Sequence, residues 1–363
     1  MNKPRVAIIY LSYNARPYID DVVLSLAKQT YPKELMEFVI VENPSGDDSE
    51  EYIKDKVLPR SEQDLPKIKL FPNEKNTGYA IGNNIGINHA LLEDFDYVYL
   101  LNNDAKLDPR AIEKAVELAE DNPKIGSVQS LMKLWQDPDK VNSSGNMIHF
   151  LGFGFSRDNG VAFANSKAQD GEEIAYASGA AVLYRASVLK NIGALDEFLW
   201  LYHEDLELGW RIMLAGYTNV LSLYSVAYHK YEFSRSIKKW FWMERNRWIV
   251  MLTHYKIATI ILLLPTLLFV ELGLVFLSIP SGWFRHKMLT YYDLLKPATI
   301  KNILAKRRIS QQSRVVSDKG IMKHFTGRIG YQNLEDVSET KLSWYANLYL
   351  DFLWRVIYTL IWW

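Results

Sequence analysis

Residues 198–211 read FLWLYHEDLELGWR, so three acids, Glu204, Asp205 and Glu207, stand directly behind a run of aromatic residues and His203. Neighbouring carboxylates can take a proton from a hydroxyl if one of them stays ionised near neutral pH. The apolar spacing Leu206, Trp210, Met213, Leu214 predicts an amphipathic helix. Glu204 and Asp205 then sit in its first turn, where the helix dipole favours negative charge. A helix accounts for the acids but not for Phe198, Trp200 and Tyr202 in front of them.

Three other clusters bear chemistry. LLNNDA, residues 100–105, puts Asp104 behind Asn102 and Asn103. A carboxylate there suits a hard divalent cation such as Mg²⁺ or Mn²⁺, with further oxygen ligands from phosphate and water. VIVENPSGDDS at 39–49 offers Glu42 as an acceptor for ribose hydroxyls or a base N–H. NTGYAIGNNIG at 76–86 combines Gly78, Gly82 and Gly86, which permit close backbone approach, with the amides of Asn76, Asn83 and Asn84. The segment is no P-loop, since no Gly-Lys-Ser/Thr follows, and its glycine spacing differs from the dinucleotide fingerprint. His203 or His229 could complete a metal site with Asp104.

The elements that must position these residues alternate. Val6–Leu11, Phe38–Val41, Ile68–Phe71 and Tyr97–Leu101 read as short strands, and residues 17–30, 81–92 and 109–122 as helices. This predicts an α/β fold with a doubly wound, mostly parallel sheet. Ligands in such sheets sit beyond the carboxyl ends of the strands, where three of these runs close on polar residues.

Composition adds limits. There is no cysteine, which excludes disulfides, thiolate catalysis and zinc–thiolate sites. The net charge is zero, yet residues 1–230 carry 23 Lys+Arg against 33 Asp+Glu, and residues 231–363 carry 19 against 9. The basic, Trp- and Tyr-rich back part points to an anionic lipid surface rather than nucleic acid, for which no binding motif is present. The N-terminal apolar run is too short for a signal peptide, so the front part is expected in the cytoplasm.

Residues 257–279 are apolar apart from Glu271 and long enough to span a bilayer. The flanking stretch 285–330 holds 11 Lys+Arg, which the positive-inside tendency keeps on the cytoplasmic face. A re-entrant hairpin broken at Pro265, or a helix lying in the interface, is therefore favoured over a clean span. WYANLYLDFLWRVIYTLIWW, residues 344–363, reads as an interfacial helix with Asp351 and Arg355 paired. The expected division is a catalytic domain over 1–231 and a helical membrane-associated region over 232–363.

SYN at 12–14, VEN at 41–43, the glycine–asparagine segment at 76–86, NND at 102–104, SGAAVLYR at 178–185, the segment 193–211 and a lone His229 occur in one order. In this the chain resembles the inverting glycosyltransferases of family 2, GT-A fold, and within them the rhamnosyltransferase-like branch that builds surface polysaccharides. The resemblance covers residues 5–231. It implies a metal-dependent transfer from a nucleoside-diphosphate sugar, with UDP or dTDP preferred to GDP, at the cytoplasmic face of the cell membrane. The acceptor would be a lipid-linked glycan on a polyprenyl diphosphate. The alternative is a polyprenyl-phosphate glycosyltransferase. It further implies that Ser12, Tyr13, Asn14, Glu42, Asn76, Gly78, Asn83, Asn84, Asn102 and Asn103 line the nucleotide-sugar site. Asp104 and His229 would hold Mg²⁺ or Mn²⁺, with Asn102 replacing the first acid of the family's DxD. Asp205 would be the general base and Glu204 its acceptor-binding neighbour. Trp200, Tyr202 and Gly179 would face the acceptor. The stretch MERNRW is read first as the basic face of an interfacial helix, although Arg245 and Arg247 could still meet the pyrophosphate of a lipid carrier.

Overall fold

Why the strand runs end where they do is visible in the sheet. In the computed structural model, which describes residues 3–230, 238–330 and 341–363, β1 (Val6–Ser12), β2 (Met36–Glu42), β3 (Lys67–Pro72) and β4 (Tyr97–Asn102) each carry the expected apolar run one or two residues further. β1 and β2 are buried over nearly their whole length, as strands covered on both faces must be. α1 (Ile19–Ala27), the single turn α2 (Ser49–Tyr52), α3 (Gly78–Leu92) and α4 (Ala111–Asp121) supply the cover. The chain continues through β5 (Ala105–Leu107), β6 (Ile125–Leu134), β7 (Val141–Ser143), β8 (Asn146–His149), β9 (Gly154–Ser156), β10 (Glu173–Ile174), β11 (Ala181–Arg185), α5 (Ala186–Ile192), α6 (Glu204–Leu214) and β12 (Thr218–His229).

The main sheet runs β3-β2-β1-β4-β11-β6-β12-β10. β1 pairs in parallel with both β2 and β4, so the strand order reverses between β1 and β4, and a crevice opens there. The sheet is mixed rather than parallel throughout: β11 is inserted antiparallel between β4 and β6. Register lines up the strand ends, with Ser12 beside Glu42 and Leu11 beside Asn102. Short β5 pairs antiparallel with the end of β12, so that His229 stands opposite Ala105.

The remaining described residues are mainly helical: α7 (Lys238–His254), α8 (Ile257–Ser278), α9 (Phe284–Leu294), α10 (Pro297–Ser313), α11 (Asp318–Met322), the short strand β13 (Phe325–Thr326) and α12 (Lys341–Leu360). The boundary expected at 231–232 lies outside the described residues. This region shares one core with the first part. Trp210 of α6 packs edge-on against Tyr255 and Phe325, at 4.8 and 4.7 Å between ring centres.

α8 corrects one expectation, because it runs unbroken through Pro265. Its buried stripe is Thr259, Leu263, Thr266, Leu267, Glu271 and Ser278, one line along the whole helix. Thr259 donates to Asp318 at 2.5 Å and accepts from the Trp363 indole at 2.8 Å. Three turns later Glu271 pairs with Arg247 and, at 2.7 Å, with Lys287. The helix is thus moored to the same body at its first turn and again past its midpoint. Ile257, Ile261, Leu264, Leu268, Phe269, Leu272 and Phe276 on its other side are exposed. The exposed face of α12 adjoins it, with the Phe269 and Tyr349 rings 5.8 Å apart. Asp351 and Arg355 pair at 3.3 Å as expected.

Candidate active site

At the strand ends, Ser12 and Glu42 are buried side by side, while Tyr13 and Asn14 are exposed. The Asn103 amide donates to the Tyr13 carbonyl at 2.6 Å, tying the loop after β4 to the loop after β1. Glu42 Oε2 is buried without a hydrogen-bond partner. Burial pushes this carboxyl up to about 7, opposed by the Ser12 hydroxyl. A group poised there can switch between accepting and donating near neutral pH.

Asp104 and His229 meet across the β5–β12 pair, with His229 Nε2 3.2 Å from Asp104 Oδ1. The backbone fixes this approach, since the Lys230 N–H donates to the Asp104 carbonyl at 2.9 Å. The Asn142 amide nitrogen is spent on Asn159 at 3.3 Å, so its Oδ1 accepts from His229 Nδ1–H at 2.9 Å. With Nδ1 turned to Asn142, Nε2 is the ring nitrogen that faces the carboxylate. Asp104 Oδ1 is buried and makes no hydrogen bond. A carboxylate oxygen and an imidazole nitrogen this close are two ligands that a divalent cation could share, and a hydrogen bond on the far ring nitrogen is the usual support for a ligating histidine. No group of three or more His, Asp or Glu among the described residues could hold an ion by itself. The pair therefore suits an ion whose other ligands are diphosphate oxygens and water.

Asp205 begins α6, as the spacing predicts. Its Oδ2 accepts from the Gly179 N–H at 3.2 Å and its Oδ1 from Leu206 N–H at 2.7 Å. Gly179 precedes Ala180, whose carbonyl accepts from the Asn102 N–H at 3.0 Å. Two hydrogen bonds through the β4–β11 junction thus link Asp205 to the strand end that carries Asp104. Tyr79 spans the same gap: its hydroxyl donates to the Gly179 carbonyl at 2.8 Å, and burial together with Glu204, Asp205 and Asp104 raises its pKa well above 10. A Cβ at Gly179 would collide with that hydroxyl.

Burial and the adjacent Asp205 push Glu204 up to about 8, and its Oε2 has no hydrogen-bond partner. Asp205 is also raised by burial, but the Gly179 and Leu206 N–H groups oppose this by stabilising its charge. The two N–H donors favour charge on Asp205 over charge on Glu204, which has none to its Oε2.

The aromatic lead-in is a strained loop. Trp200, Tyr202 and His203 all have positive φ (60°, 66° and 70°), which is costly for side chains of this size. Two elements hold it. The Trp200 carbonyl accepts from the Tyr79 N–H at 3.0 Å, while its indole lies on Gly78, where a Cβ would collide with it. From α7, the buried Asn246 amide converges on the carbonyls of Leu199 (2.9 Å), Leu201 (3.0 Å) and Tyr202 (2.7 Å). Asn246 is missed by sequence reasoning; its only signal is its place inside MERNRW. Trp200 also packs on Trp242, with ring centres 4.9 Å apart.

Other expected site residues have different partners. The Asn76 side chain accepts from the Gly78 N–H at 2.8 Å and so shapes the turn into α3. Asn83 donates to the Tyr79 carbonyl at 3.0 Å within α3. Asn84 is buried and brackets Leu195, donating to its carbonyl at 2.9 Å and accepting from its N–H at 3.0 Å. Arg245 pairs with Asp293 at 2.6 Å. Arg247, 1% exposed, is sealed in a network with Glu244, Glu271 and Lys287 and has no outlet to a ligand phosphate. Arg211 anchors α6 through Glu207 at 2.7 Å and the carbonyls of Ile192, Gly193 and Ala194.

The family described as "Glycosyl transferase family 2" matches residues 7–193. The chain is similar to an N-acetylglucosaminyl-diphospho-decaprenol L-rhamnosyltransferase from Mycobacterium tuberculosis, 25% identical over 233 residues, 59% of this chain and 72% of that one. Its fold resembles that of GalNAc-T7, solved with UDP, GalNAc and Mn²⁺, with a TM-score of 0.55 and 14% identity over 70% of this chain; it spans about half, 49%, of GalNAc-T7. It also resembles the mannosyltransferase PcManGT from Pyrobaculum calidifontis in complex with GDP-Man and Mn²⁺, with a TM-score of 0.51 and 16% identity over 99% of this chain and 88% of that one. At such identities the two structures speak to fold alone.

Proposed function

We propose that this chain, which belongs to glycosyl transferase family 2 and has a GT-A-like α/β fold, moves a sugar with inversion from a nucleoside diphosphate to a glycan carried on a polyprenyl diphosphate. The observation that carries the reading is the single path Asp205–Gly179–Ala180–Asn102–Asp104, which joins a proton acceptor to a cation-binding pair on one sheet edge. Inverting transfer needs both: a base at the incoming hydroxyl and positive charge at the departing diphosphate. Ionised Asp205 takes the proton from the acceptor hydroxyl. Neutral Glu204 donates a hydrogen bond to the same sugar. Glu42 and Ser12 hold the nucleoside, and Trp200 with Tyr202 forms the wall on which the acceptor sugar stacks. Asp104 and His229 would hold Mg²⁺ or Mn²⁺, which would supply positive charge for the departing diphosphate.

The M. tuberculosis relative's name specifies a diphospho-decaprenol acceptor and L-rhamnosyl transfer, which supports the acceptor class and the rhamnosyltransferase-like branch. Membrane attachment is part of the same reading. The apolar face of α8 and α12, beside the basic stretch 285–330, fits the cytoplasmic surface of the cell membrane, with α8 lying in the interface.

The test is product analysis after incubating membranes that contain the chain with UDP-, dTDP- and GDP-sugars, wild type against Asp205→Asn. The expected result is a lengthened lipid-linked glycan, with kcat about 10³-fold lower in the variant. Near-normal turnover by Asp205→Asn would instead identify an acceptor that is already ionised, the lipid phosphate of a polyprenyl-phosphate glycosyltransferase.

A further inference from the structure

The structure assigns a second subsite to the α7–α9 face: a groove for the proximal isoprenoid units and diphosphate of the acceptor. This rests on the acceptor reading above and locates its lipid end.

Three observations meet there. First, a groove of about 280 Å³ lies between Phe241 and Trp242 of α7 and His286, Leu289, Tyr292, Asp293 and Lys296 on and just after α9. Trp242 is the ring that packs on Trp200, so the groove continues the aromatic wall leading from Asp205. Second, its polar side carries Lys296 and His286 beside Asp293, with the buried Arg245 behind that carboxylate rather than on the lining. Arg245 and Lys296 both converge on the single carboxylate of Asp293, at 2.6 and 2.8 Å, and Lys296 also lies over the Tyr292 ring at 5.3 Å. His286 Nδ1 is buried there without a hydrogen-bond partner. Two cations on one acid, with an imidazole beside them, leave charge for a diphosphate to share. Third, the apolar side is open and continuous with the exposed hydrophobic surface. Leu289 is 40% exposed and Tyr292 65%, and Phe284, Leu295, Ile300 and Leu304 extend the patch over α9 and α10. A soluble glycan has no use for that patch, whereas an isoprenoid rising from the bilayer would be covered by it.

Arg247, the expected phosphate contact, is closed off within its own ion-pair network. Lys296 and His286 take that part, with Arg245 reaching the groove through Asp293.

The test is photolabelling of the detergent-solubilised full chain with a diazirine-bearing farnesyl diphosphate, mapped by peptide mass spectrometry. Label is expected on peptides containing Phe241–Trp242 and Leu289–Tyr292. Excess farnesyl diphosphate should remove it, and inorganic pyrophosphate at the same concentration should not. Leu289→Asp and Tyr292→Asp, both at exposed positions, should each cut labelling about tenfold and raise KM for lipid-linked acceptor by a similar factor, with donor KM unchanged. Label spread over α8 and α12, or labelling unaffected by both variants, overturns the groove. Competition by pyrophosphate alone overturns its isoprenoid half. The two readings fail separately: a wild-type protein that turns over only water-soluble acceptors defeats the lipid-acceptor assignment, whereas lipid-linked turnover indifferent to both variants defeats the groove alone.

Discussion

His229 Nε2 faces Asp104 Oδ1 at 3.2 Å because β5 and β12 pair and set the two residues at the end of the same two-stranded arm. The geometry predicts that one cation is shared between them and that Asn142 tunes it from behind. Asp104→Asn and His229→Ala should each weaken Mn²⁺ binding, followed by its paramagnetic signal, by at least about 100-fold, and Asn142→Ala by about tenfold. Chelation should abolish transfer, and Mn²⁺ should restore it to the wild type but not to Asp104→Asn. Unchanged Mn²⁺ affinity in both ligand variants would remove the site.

Glu204 gives a pH signature of opposite sign to an ordinary surface acid. Its folded pKa of about 8 lies above its usual 4.5. The stability it contributes is fully present below about 4.5 and is lost as pH rises through 8. Glu204→Gln stays neutral, so its melting temperature should gain on that of the wild type as pH rises from about 4.5 to 8, by about 4 °C or more at the upper end. The kcat of the wild type should fall above pH 8 as Glu204 loses the proton it donates, and this alkaline limb should be absent from the Gln variant. Parallel melting curves at every pH would contradict the assignment.

Glu42 should govern the acid side of donor binding. Burial holds it at about 7, so below that pH it is protonated and no longer an anionic acceptor for the nucleoside. Donor KM should then climb by up to about tenfold per unit below pH 7, and Glu42→Gln should show a high KM that does not vary with pH. Donor titrations by calorimetry at pH 5.5, 7 and 8.5 decide it.

The strained loop should be the weak point of the catalytic arrangement. Asn246→Ala strips three carbonyls of their buried donor and should cost about 2 kcal/mol in urea unfolding. It should lower kcat more than it raises donor KM, because the loop sets Asp205 and leaves the nucleoside end alone. A variant as stable and as fast as the wild type would show that the loop keeps its shape without α7.

How far the sequence announces this site depends on whether each contact is local. The polar closures of β1, β2 and β4 are legible because a parallel strand's end is a ligand edge by construction, and Ser12, Glu42 and Asn102 fall there in register. Asp205 is legible from the periodicity of α6. Tyr79 and Asn246 are not: each acts on a segment more than 40 residues away, and each sits in a helix whose pattern serves a different purpose. The antiparallel entry of β11 is hidden because Ala181–Arg185 carries the same apolar run that a parallel strand would. Glu271 reads as a flaw in a membrane span until Arg247 and Lys287, 24 and 16 residues on either side, are seen to neutralise it. Arg247 misleads in turn, since an arginine suited to phosphate is equally suited to a buried carboxylate.

The mooring of α8 leads to a topological prediction. Its first turn is held by Asp318 and its fourth by Arg247 and Lys287, so the helix should lie along the body with both flanks on one side of the membrane while Leu268, Phe269 and Leu272 dip into it. The wild-type chain should float with phosphatidylcholine vesicles, and more completely when phosphatidylglycerol is added, because the basic stretch 285–330 adds attraction to the apolar burial. A Leu268→Asp, Leu272→Asp double variant alters only exposed positions and should stay with the soluble fraction at an unchanged melting temperature. The chain has no native cysteine, so thiols introduced one at a time as Lys256→Cys and Ser281→Cys report each end without background. An impermeant maleimide should label both equally from the cytoplasmic side of inverted vesicles and neither from the outside of intact cells. Labelling of the two ends from opposite sides would make α8 a true span and would require the Glu271 ion pairs to break on insertion.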